Sequence, residues 1–261
     1  MEKDEELRRK MFIMCSKEEK EMQYIASISY GKDSLAMLEV IKENSLPLDR
    51  IVHAEIMATP TIPADLPEMM EFKDKADKII LKRYGIKVER IHAPKSYEEY
   101  FYQIVKGKKS KNAGKIYGWP FTRGAWCNSR LKMSVLNKFN KKNITQYIGI
   151  AVEEINRYGV LRENKRSPLI EHGWTEKMCY DWCKENDLLS PIYQHSFRGG
   201  CWFCHNQRLQ ELRNLRKNHP KYWELMLRWD KDSPNTFKAD GKTLHDLDKM
   251  FEMEDRQITM F

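Results

Sequence analysis

Short apolar runs alternate with longer stretches of helical character along this chain. Four runs have the length and composition of buried strands, and they cover residues 24–28, 50–57, 86–91 and 144–150. Five stretches have the composition and apolar spacing of helices, and they cover residues 35–41, 68–84, 97–102, 127–141 and 174–186. Since helices separate the strands, the pattern predicts parallel βαβ units. We therefore expect an α/β fold with a doubly wound, mostly parallel sheet that binds ligands at the carboxyl ends of its strands.

The remaining pattern predicts three parts within the 261 residues. We expect an N-terminal helical segment at 1–23, a nucleotide-binding α/β domain at 24–205 and a helical, charged C-terminal extension at 206–261. No apolar run reaches the roughly 18 residues that a membrane span needs, so no membrane partner is expected. The first residues are charged and lack the apolar core of a signal peptide, which favours a cytoplasmic location.

Composition narrows the chemistry further. A net charge of +8 favours polyanionic partners, and a nucleotide satisfies that bias as well as a nucleic acid does. Cysteines stay reduced in the cytoplasm, so the six cysteines are expected to be metal ligands, a redox centre or core residues.

The segment 29–34, with the sequence SYGKDS, joins the first predicted strand to the first predicted helix. Such a loop presents backbone N–H groups and the positive end of a helix dipole to a phosphate. Lys32 adds a full charge, and Asp33 caps the helix or holds a metal-bound water. The simpler alternative is an ordinary capped turn. The predicted phosphate contacts are Ser27, Ser29, Gly31, Lys32, Asp33 and Ser34.

A second signal is the pair Cys201 and Cys204 beside two glycines. A C-x-x-C turn places two sulfurs on one metal or cluster, although a redox dithiol has the same spacing. Cys127 is a further thiol, and Cys179 and Cys183 lie one helical turn apart, where small core residues are the alternative.

Together these motifs resemble the PP-loop ATP pyrophosphatase superfamily and, within it, the phosphoadenosine phosphosulfate (PAPS) reductase family. The similar segments are S-x-G-K-D-S at 29–34, P-E at 67–68, the cysteine, arginine and lysine of 127–132, the glycine, acidic and arginine segment 149–157, W-T-E at 174–176, P-x-Y at 191–193 and G-C-x-x-C at 200–204. The resemblance implies that Gly149, Arg157 and Arg198 face the nucleotide. It also implies catalytic roles for Lys32, Asp33, Glu154 and Arg157. Whether Glu153 or Glu154 holds Mg²⁺, orients Arg157 or acts as a base stays open.

In the cluster-bearing branch of that family a Cys-Cys pair and a C-x-x-C hold a [4Fe–4S] centre. This chain has Trp126 and Cys127 in place of the pair. The expected metal ligands are Cys127, Cys201, Cys204 and, as the first choice for the fourth, Cys183. His205 is the second choice and Cys179 the third. Four such ligands suit zinc as well as an iron–sulfur cluster.

The family's reductases also use a nucleophilic cysteine in a C-terminal tail, and no cysteine follows Cys204 here. The resemblance therefore implies an enzyme that binds ATP (or PAPS or adenosine phosphosulfate, APS) with Mg²⁺ and carries out adenylation and sulfur transfer. Its expected partners are an adenine nucleotide, a nucleic-acid or small-molecule sulfur acceptor and a sulfur-donor protein. The alternatives are a PAPS or APS reductase with its thiol supplied by a partner, and a non-catalytic, zinc-stabilised nucleotide-binding module.

Basic residues in the C-terminal extension offer a further candidate contact. Arg208, Arg213, Arg216, Lys217 and Lys221, with Trp223 and Trp229, have the composition of an RNA-binding face. A solvated helix face over a small apolar seam is the favoured alternative.

Overall fold

The computed structural model describes residues 21–107, 112–120, 125–161, 163–194 and 199–258. The strands are β1 (Gln23–Ile28), β2 (Arg50–Glu55), β3 (Val88–His92), β4 (Ile144–Ile148) and β5 (Lys165–Arg166). The helices in the first half are α1 (Lys32–Glu43), α2 (Pro67–Tyr84), α3 (Tyr97–Phe101) and α4 (Ser134–Leu136). Those in the second half are α5 (Ile155–Tyr158), α6 (Pro168–Glu171), α7 (Glu176–Glu185), α8 (Leu209–Asn218), α9 (Pro220–Asp232) and α10 (Leu244–Ile258). A π-helical turn, Asn128–Met133, leads into α4.

The five strands form one sheet in the order β3-β2-β1-β4-β5, and every neighbouring pair is parallel. From β1 the chain continues to β2 and β3 on one side of β1, and it then crosses to β4 and β5 on the other side of β1. The order of strands thus reverses between β1 and β4, which is where an open α/β sheet has its binding crevice. The predicted doubly wound α/β fold is confirmed.

Local sequence explains how the main elements begin and end. The middle of β1 is fully buried at Ile25 and Ala26, as expected of a central parallel strand. Helix α2 starts with Pro67, whose fixed φ suits the first helical turn. It ends at Gly85, which has φ +72° and donates its N–H to Leu81 O at 2.9 Å. A glycine takes this left-handed conformation without steric cost.

Two large cores lie on the sheet. The first packs α1 against the strands and against α7, and it includes Leu35, Leu38 and Cys183. The second is aromatic and joins α3 to the C-x-x-C turn and the C-terminal helices, through Tyr97, Trp202 and Trp229. Trp229 stacks on Trp202 with 5.6 Å between ring centroids, and the indole N–H of Trp119 donates to Asp230 at 2.8 Å. The helices after residue 206 therefore complete a core that the earlier residues begin.

Some expected features differ from the structure or fall outside it. Strand β5 was not predicted because Lys165 and Arg166 have no apolar run, and they form only an edge pair with Gln146 and Tyr147. Most of the expected N-terminal helical segment, residues 1–20, lies outside the described residues. Among the described helices, none combines the length and the apolar character needed to cross a bilayer.

Candidate functional site

The 29–34 loop leaves β1 and opens α1 where the strand order reverses. Its serines close the turn, because the Ser29 N–H donates to Ser34 Oγ at 3.0 Å and the Ser34 hydroxyl donates to Gly31 O at 2.9 Å. Helix α1 then starts with the bond from Leu35 N–H to Gly31 O at 3.1 Å. The N–H groups of the first helical turn face the carboxyl end of β1, which is the arrangement that binds phosphate groups.

The residue with an unusual backbone in this loop is Tyr30. Its φ is +59°, in the left-handed region that non-glycine residues seldom occupy. Gly31 has φ −78°, which any residue adopts. What Gly31 provides is space, since a Cβ there would lie 3.4 Å from Ser29 Oγ and 3.5 Å from the Tyr193 hydroxyl.

Gly149 follows β4 and lies directly against the loop. A Cβ at Gly149 would sit 2.6 Å from Ser34 N and 2.7 Å from Asp33 C. Only a residue without a side chain lets β4 approach the first turn of α1 this closely. Ser27, on β1, has a buried hydroxyl without a hydrogen-bond partner in the part of the chain that the structure describes. Both residues therefore lie where the sequence predicts nucleotide contacts, and whether they touch a nucleotide stays a prediction.

Lys32 is held by two carboxylates. Its Nζ donates to Asp33 Oδ1 at 2.8 Å and to Glu176 Oε2 at 2.9 Å. Burial disfavours the charged amine, but the two carboxylates outweigh that effect and raise the pKa of Lys32 above its ordinary value. Burial also raises the pKa of Asp33, although Lys32 opposes the change. Lys32 thus keeps its positive charge at neutral pH, beside the loop's N–H groups.

The W-T-E segment places Glu176 at this point. Thr175 caps α7 by accepting the Met178 N–H at 3.2 Å, and the Glu176 N–H donates to Glu153 Oε2 at 3.0 Å. Tyr193, from the P-x-Y segment, accepts the Lys32 N–H with its hydroxyl at 3.1 Å. Two of the segments that resemble the PAPS reductase family, W-T-E and P-x-Y, therefore meet at the 29–34 loop.

Arg157 is not part of this group. Its side chain is 63% exposed and forms an ion pair with Glu154. Glu153 accepts the Glu176 N–H at the start of α7, whereas Glu154 binds Arg157. The described contacts therefore favour Glu154 as the residue that orients Arg157. Arg198, the other predicted anion ligand, lies outside the described residues.

Three of the predicted ligand cysteines form a second group. Cys204 closes the C-x-x-C turn by donating its N–H to Cys201 O at 3.0 Å, and Cys127 starts the π-helical turn. The Tyr97 side chain is 1% exposed, and its hydroxyl has no hydrogen-bond partner among the described residues. Burial first, and then the charges of these three thiols, raises the pKa of Tyr97. Cys127, Cys201 and Cys204 therefore all lie within electrostatic range of one buried hydroxyl, and we call them the thiol triad.

The chemistry of the thiol triad fits a thiolate-bound metal group. Iron–sulfur clusters are held by cysteine thiolates, and structural zinc ions are closed by four ligands. Burial, followed by the charge of Cys204, raises the pKa of the Cys127 thiol to about 11, so a metal would have to displace its proton. Within the described ranges, no three His, Cys, Asp or Glu side chains are gathered as the ligand set of a metal ion. The triad thus has suitable donors that are not assembled around a single ion.

Cys183, the first choice for the fourth ligand, makes its described contacts in another part of the structure. Cys183 is fully buried between α7 and α1, and its thiol donates to Lys32 O at 3.3 Å. Cys179, one turn earlier, is also fully buried and interacts with Asp33. The packing of α7 on α1 directs both thiols to the base of the 29–34 loop and not to the triad. His205, adjacent to Cys204 in sequence, is buried with the second core's C-x-x-C turn and stays the remaining candidate among the three.

Two cations near the triad were not found from the sequence. Lys238 Nζ donates to His205 O at 2.9 Å, and burial lowers the pKa of Lys238. Lys132 acts electrostatically on Cys201 and on His53. The family motif could have indicated Lys132, but Lys238 is isolated in the sequence and nothing there signals it.

Two of the basic residues in the C-terminal helices are paired with acidic residues of α10. Arg213 binds Glu254 at 2.7 Å, and Arg216 binds Asp248 at 2.7 Å and Asp255 at 2.6 Å. Trp223 and Trp229 are buried and cannot stack on bases. These contacts agree with the favoured alternative of a charged helix face over an apolar seam.

Comparison with known proteins gives distant likenesses only. No family model matches the chain. It is 22% identical over 229 residues to the uncharacterized protein MJ0066 of Methanocaldococcus jannaschii, in a match that covers 82% of this chain and 42% of that protein. The chain therefore spans less than half the length of this relative. A solved structure, the U34-tRNA thiolase NcsA from Methanococcus maripaludis with its [4Fe-4S] cluster, matches 80% of this chain and 71% of that chain with 15% identity and a TM-score of 0.40. A likeness this distant assigns no function.

Proposed function

We propose that the chain is an ATP-dependent enzyme that adenylates an acceptor, releases pyrophosphate and directs sulfur to the activated atom. The observation that carries the proposal is the pairing of two groups: the 29–34 loop with its charged Lys32, and the thiol triad around Tyr97. The first suits a leaving pyrophosphate, and the second suits a sulfur-handling metal group.

The first half of the reaction follows from the loop. An acceptor oxygen attacks the α-phosphorus of ATP, the bond to the β-phosphate oxygen breaks, and pyrophosphate leaves with the electron pair. Backbone N–H groups of α1 and the Lys32 ammonium stabilise that negative charge. Since Lys32 is already paired with Asp33 and Glu176, the nucleotide must draw the ammonium from one of them. Glu176 is the more exposed partner, with 47% of its side chain accessible, and is the one that we expect to exchange. The released carboxylate is then free to bind Mg²⁺, which prefers such oxygen ligands.

The second half requires sulfur to replace the adenylated oxygen. A sulfur nucleophile attacks the activated carbon, and AMP leaves with the bonding pair. Cys127, Cys201 and Cys204 would hold a [4Fe–4S] cluster, which supplies a binding place for sulfur on an iron that no cysteine occupies. The buried rings of Tyr97 and Trp202 belong to the core against which Cys127 and Cys201 pack, and all three cysteines are partly exposed. Four closed protein ligands would favour zinc, whereas three thiolates with one open position would favour the cluster.

Two variants test the halves separately. With ATP, Mg²⁺ and a suitable acceptor, we expect AMP and pyrophosphate from the parent protein, and neither from Lys32→Ala. Cys204→Ser should still release pyrophosphate and should fail to transfer sulfur from sulfide to the acceptor. An anaerobic absorption spectrum with iron and zinc analysis identifies the metal group. If the pure protein binds ATP, holds zinc and never releases pyrophosphate with any acceptor tested, the non-catalytic module is the better description.

A further inference from the structure

Lys73 is a buried lysine that lies between the 29–34 loop and the C-x-x-C turn. Its side chain is 1% exposed. The ammonium donates to Asp65 Oδ2 at 2.6 Å and approaches His53 Nε2 at 2.9 Å, with Glu55 Oε1 at 3.5 Å. Burial of an ammonium costs hydration free energy that its ion pairs only partly offset. Replacement of a buried ion pair by apolar side chains of similar size therefore often leaves the stability of a protein unchanged. Stability alone therefore does not explain a lysine here.

On one side Lys73 supports the 29–34 loop. Since the ammonium only donates, His53 Nε2 must accept, and the proton of the neutral ring lies on Nδ1, which donates to Ile28 O at 3.0 Å. The Lys73 Nζ also lies 5.3 Å from the ring centroid of Tyr30, the left-handed residue of the loop. Left-handed backbone in a non-glycine residue persists only where its surroundings fix it. Lys73 and His53 are two of the groups that fix Tyr30.

Further contacts confine Tyr30 from its other end. Its hydroxyl donates to Asp77 Oδ1 at 2.5 Å, and Arg90 lies 5.8 Å from its ring centroid. The ring is fully buried and meets the His53 ring edge-on at 4.8 Å. The position of Tyr30, and hence of Ser29 and Gly31 beside it, is therefore set by the neutral His53 ring from β2 and by charged groups from α2 and β3.

On its other side Lys73 reaches the thiol triad through Asp65. The two residues before Asp65 bind the C-x-x-C turn, because the Trp202 N–H donates to Ala64 O at 2.9 Å and its indole N–H donates to Pro63 O at 2.9 Å. Trp202 directly follows Cys201, and the Asp65 carboxylate acts electrostatically on the Cys201 thiol. A shift of Asp65 would therefore move the backbone that holds the turn.

We propose that Lys73 is a positioning residue that couples the nucleotide loop to the thiol triad. The Lys73 ammonium contacts both His53, which supports the loop, and Asp65, which adjoins the backbone that binds the C-x-x-C turn. Phosphate binding at Gly31 and Lys32 therefore changes the exposure of Cys201 and Cys204. This inference rests on the proposed function, since it requires that the loop binds a nucleotide.

The test measures two quantities on the 261-residue chain as purified. Calorimetry gives the Kd of ATP with Mg²⁺, and peptide mass spectrometry gives the rate at which iodoacetamide modifies Cys201 and Cys204. In the parent, saturating ATP with Mg²⁺ should change the modification rate at least fivefold. In Lys73→Met that change should fall below twofold, and the Kd should rise at least tenfold because Tyr30 loses its support. Glu39→Gln is the matched control, since Glu39 is also buried and charged but binds Arg83 and Tyr84, away from both sites.

Asp65→Asn separates coupling from folding and decides the question if Lys73→Met fails to fold. It should lose the ATP-dependent change in modification rate and keep a Kd for ATP within twofold of the parent. Retention of the parental change in either variant overturns the proposal, as does a parent that binds ATP with no change in rate. A parent that binds no ATP overturns the proposed function itself.

Discussion

Replacement of Gly149 by alanine is expected to damage the protein more than the same change at Gly31, although both belong to nucleotide-site motifs. The added Cβ at Gly149 would lie 2.6 Å from Ser34 N and 2.7 Å from Ser34 Cα and Asp33 C. Ordinary contacts begin near 3.5 Å, so the two backbones must separate by about 0.9 Å. All three atoms are main chain, and no flexible side chain can move instead.

Overpacking of a tight contact costs about 1–3 kcal/mol, and the rigid backbone on both sides places Gly149→Ala at about 3 kcal/mol. For a chain of this size that corresponds to a fall in Tm of roughly 6–12 °C. At Gly31, where φ is −78° and the Cβ contacts are 3.4 and 3.5 Å, alanine should change stability by less than about 1 kcal/mol. Urea denaturation and thermal melts measure both effects, and calorimetry measures the Kd of ATP, which should rise sharply for Gly149→Ala.

Gly159→Ala is the matched control. Its φ is −61° and its Cβ would meet only Asn156 O, at 4.0 Å, so the change should be neutral or stabilising by up to about 1 kcal/mol. If Gly149→Ala melts within 2 °C or so of the parent, the inferred contact between β4 and the first turn of α1 is wrong, because about 1 kcal/mol would already exceed that shift.

Three further outcomes are expected. Burial, together with the charge of Lys73, lowers the pKa of His53 to about 3, so on acidification this histidine is protonated in the unfolded chain before it is protonated in the folded protein. The free energy of unfolding should therefore fall as the pH drops below about 6.5. In His53→Gln, urea titrations at each pH should show a fall between pH 6 and 5 that is smaller by up to about 1.4 kcal/mol per pH unit. Cys183→Ala should keep the full metal content of the protein, whereas Cys204→Ser should lose it, as measured by elemental analysis; equal loss in both would restore Cys183 as a ligand. PAPS with thioredoxin should yield no sulfite from this chain, and steady sulfite release would favour the reductase.

Much of the fold follows from local pattern. Apolar runs such as β1 and β2 are unambiguous because both faces of a central strand are buried, and Gly85 marks the end of α2 by its conformation alone. β5 escapes prediction because an edge strand of two residues needs only backbone pairing. The grouping of Cys127, Cys201 and Cys204 at one metal site was expected from their motif, and it stays a prediction.

What the sequence could not supply is the direction in which a side chain points. Cys183 was preferred because its helix leads to Cys201, yet the rotation of α7 against α1 turns the thiol to Lys32 O. In the sequence, Arg213 and Arg216 have the pattern of an exposed positive face. In the structure, acidic residues of α10, some 30 to 40 positions later in the chain, bind and neutralise both of them. Both arrangements depend on tertiary contacts between distant residues, which composition and spacing do not encode.

The shared aromatic core has a consequence for the order of events during synthesis. Tyr97, beside the triad, packs on Trp229 with 5.3 Å between ring centroids, and Trp119 needs Asp230 for its indole N–H. At 5–20 residues per second the ribosome takes roughly 7–25 s to advance from Tyr97 to Trp229. Cys127 emerges early in that interval, Cys201 and Cys204 emerge near its end, and all three precede Trp229. We therefore expect the triad to take its final arrangement only after the last helices complete the aromatic core against which Cys127 and Cys201 pack.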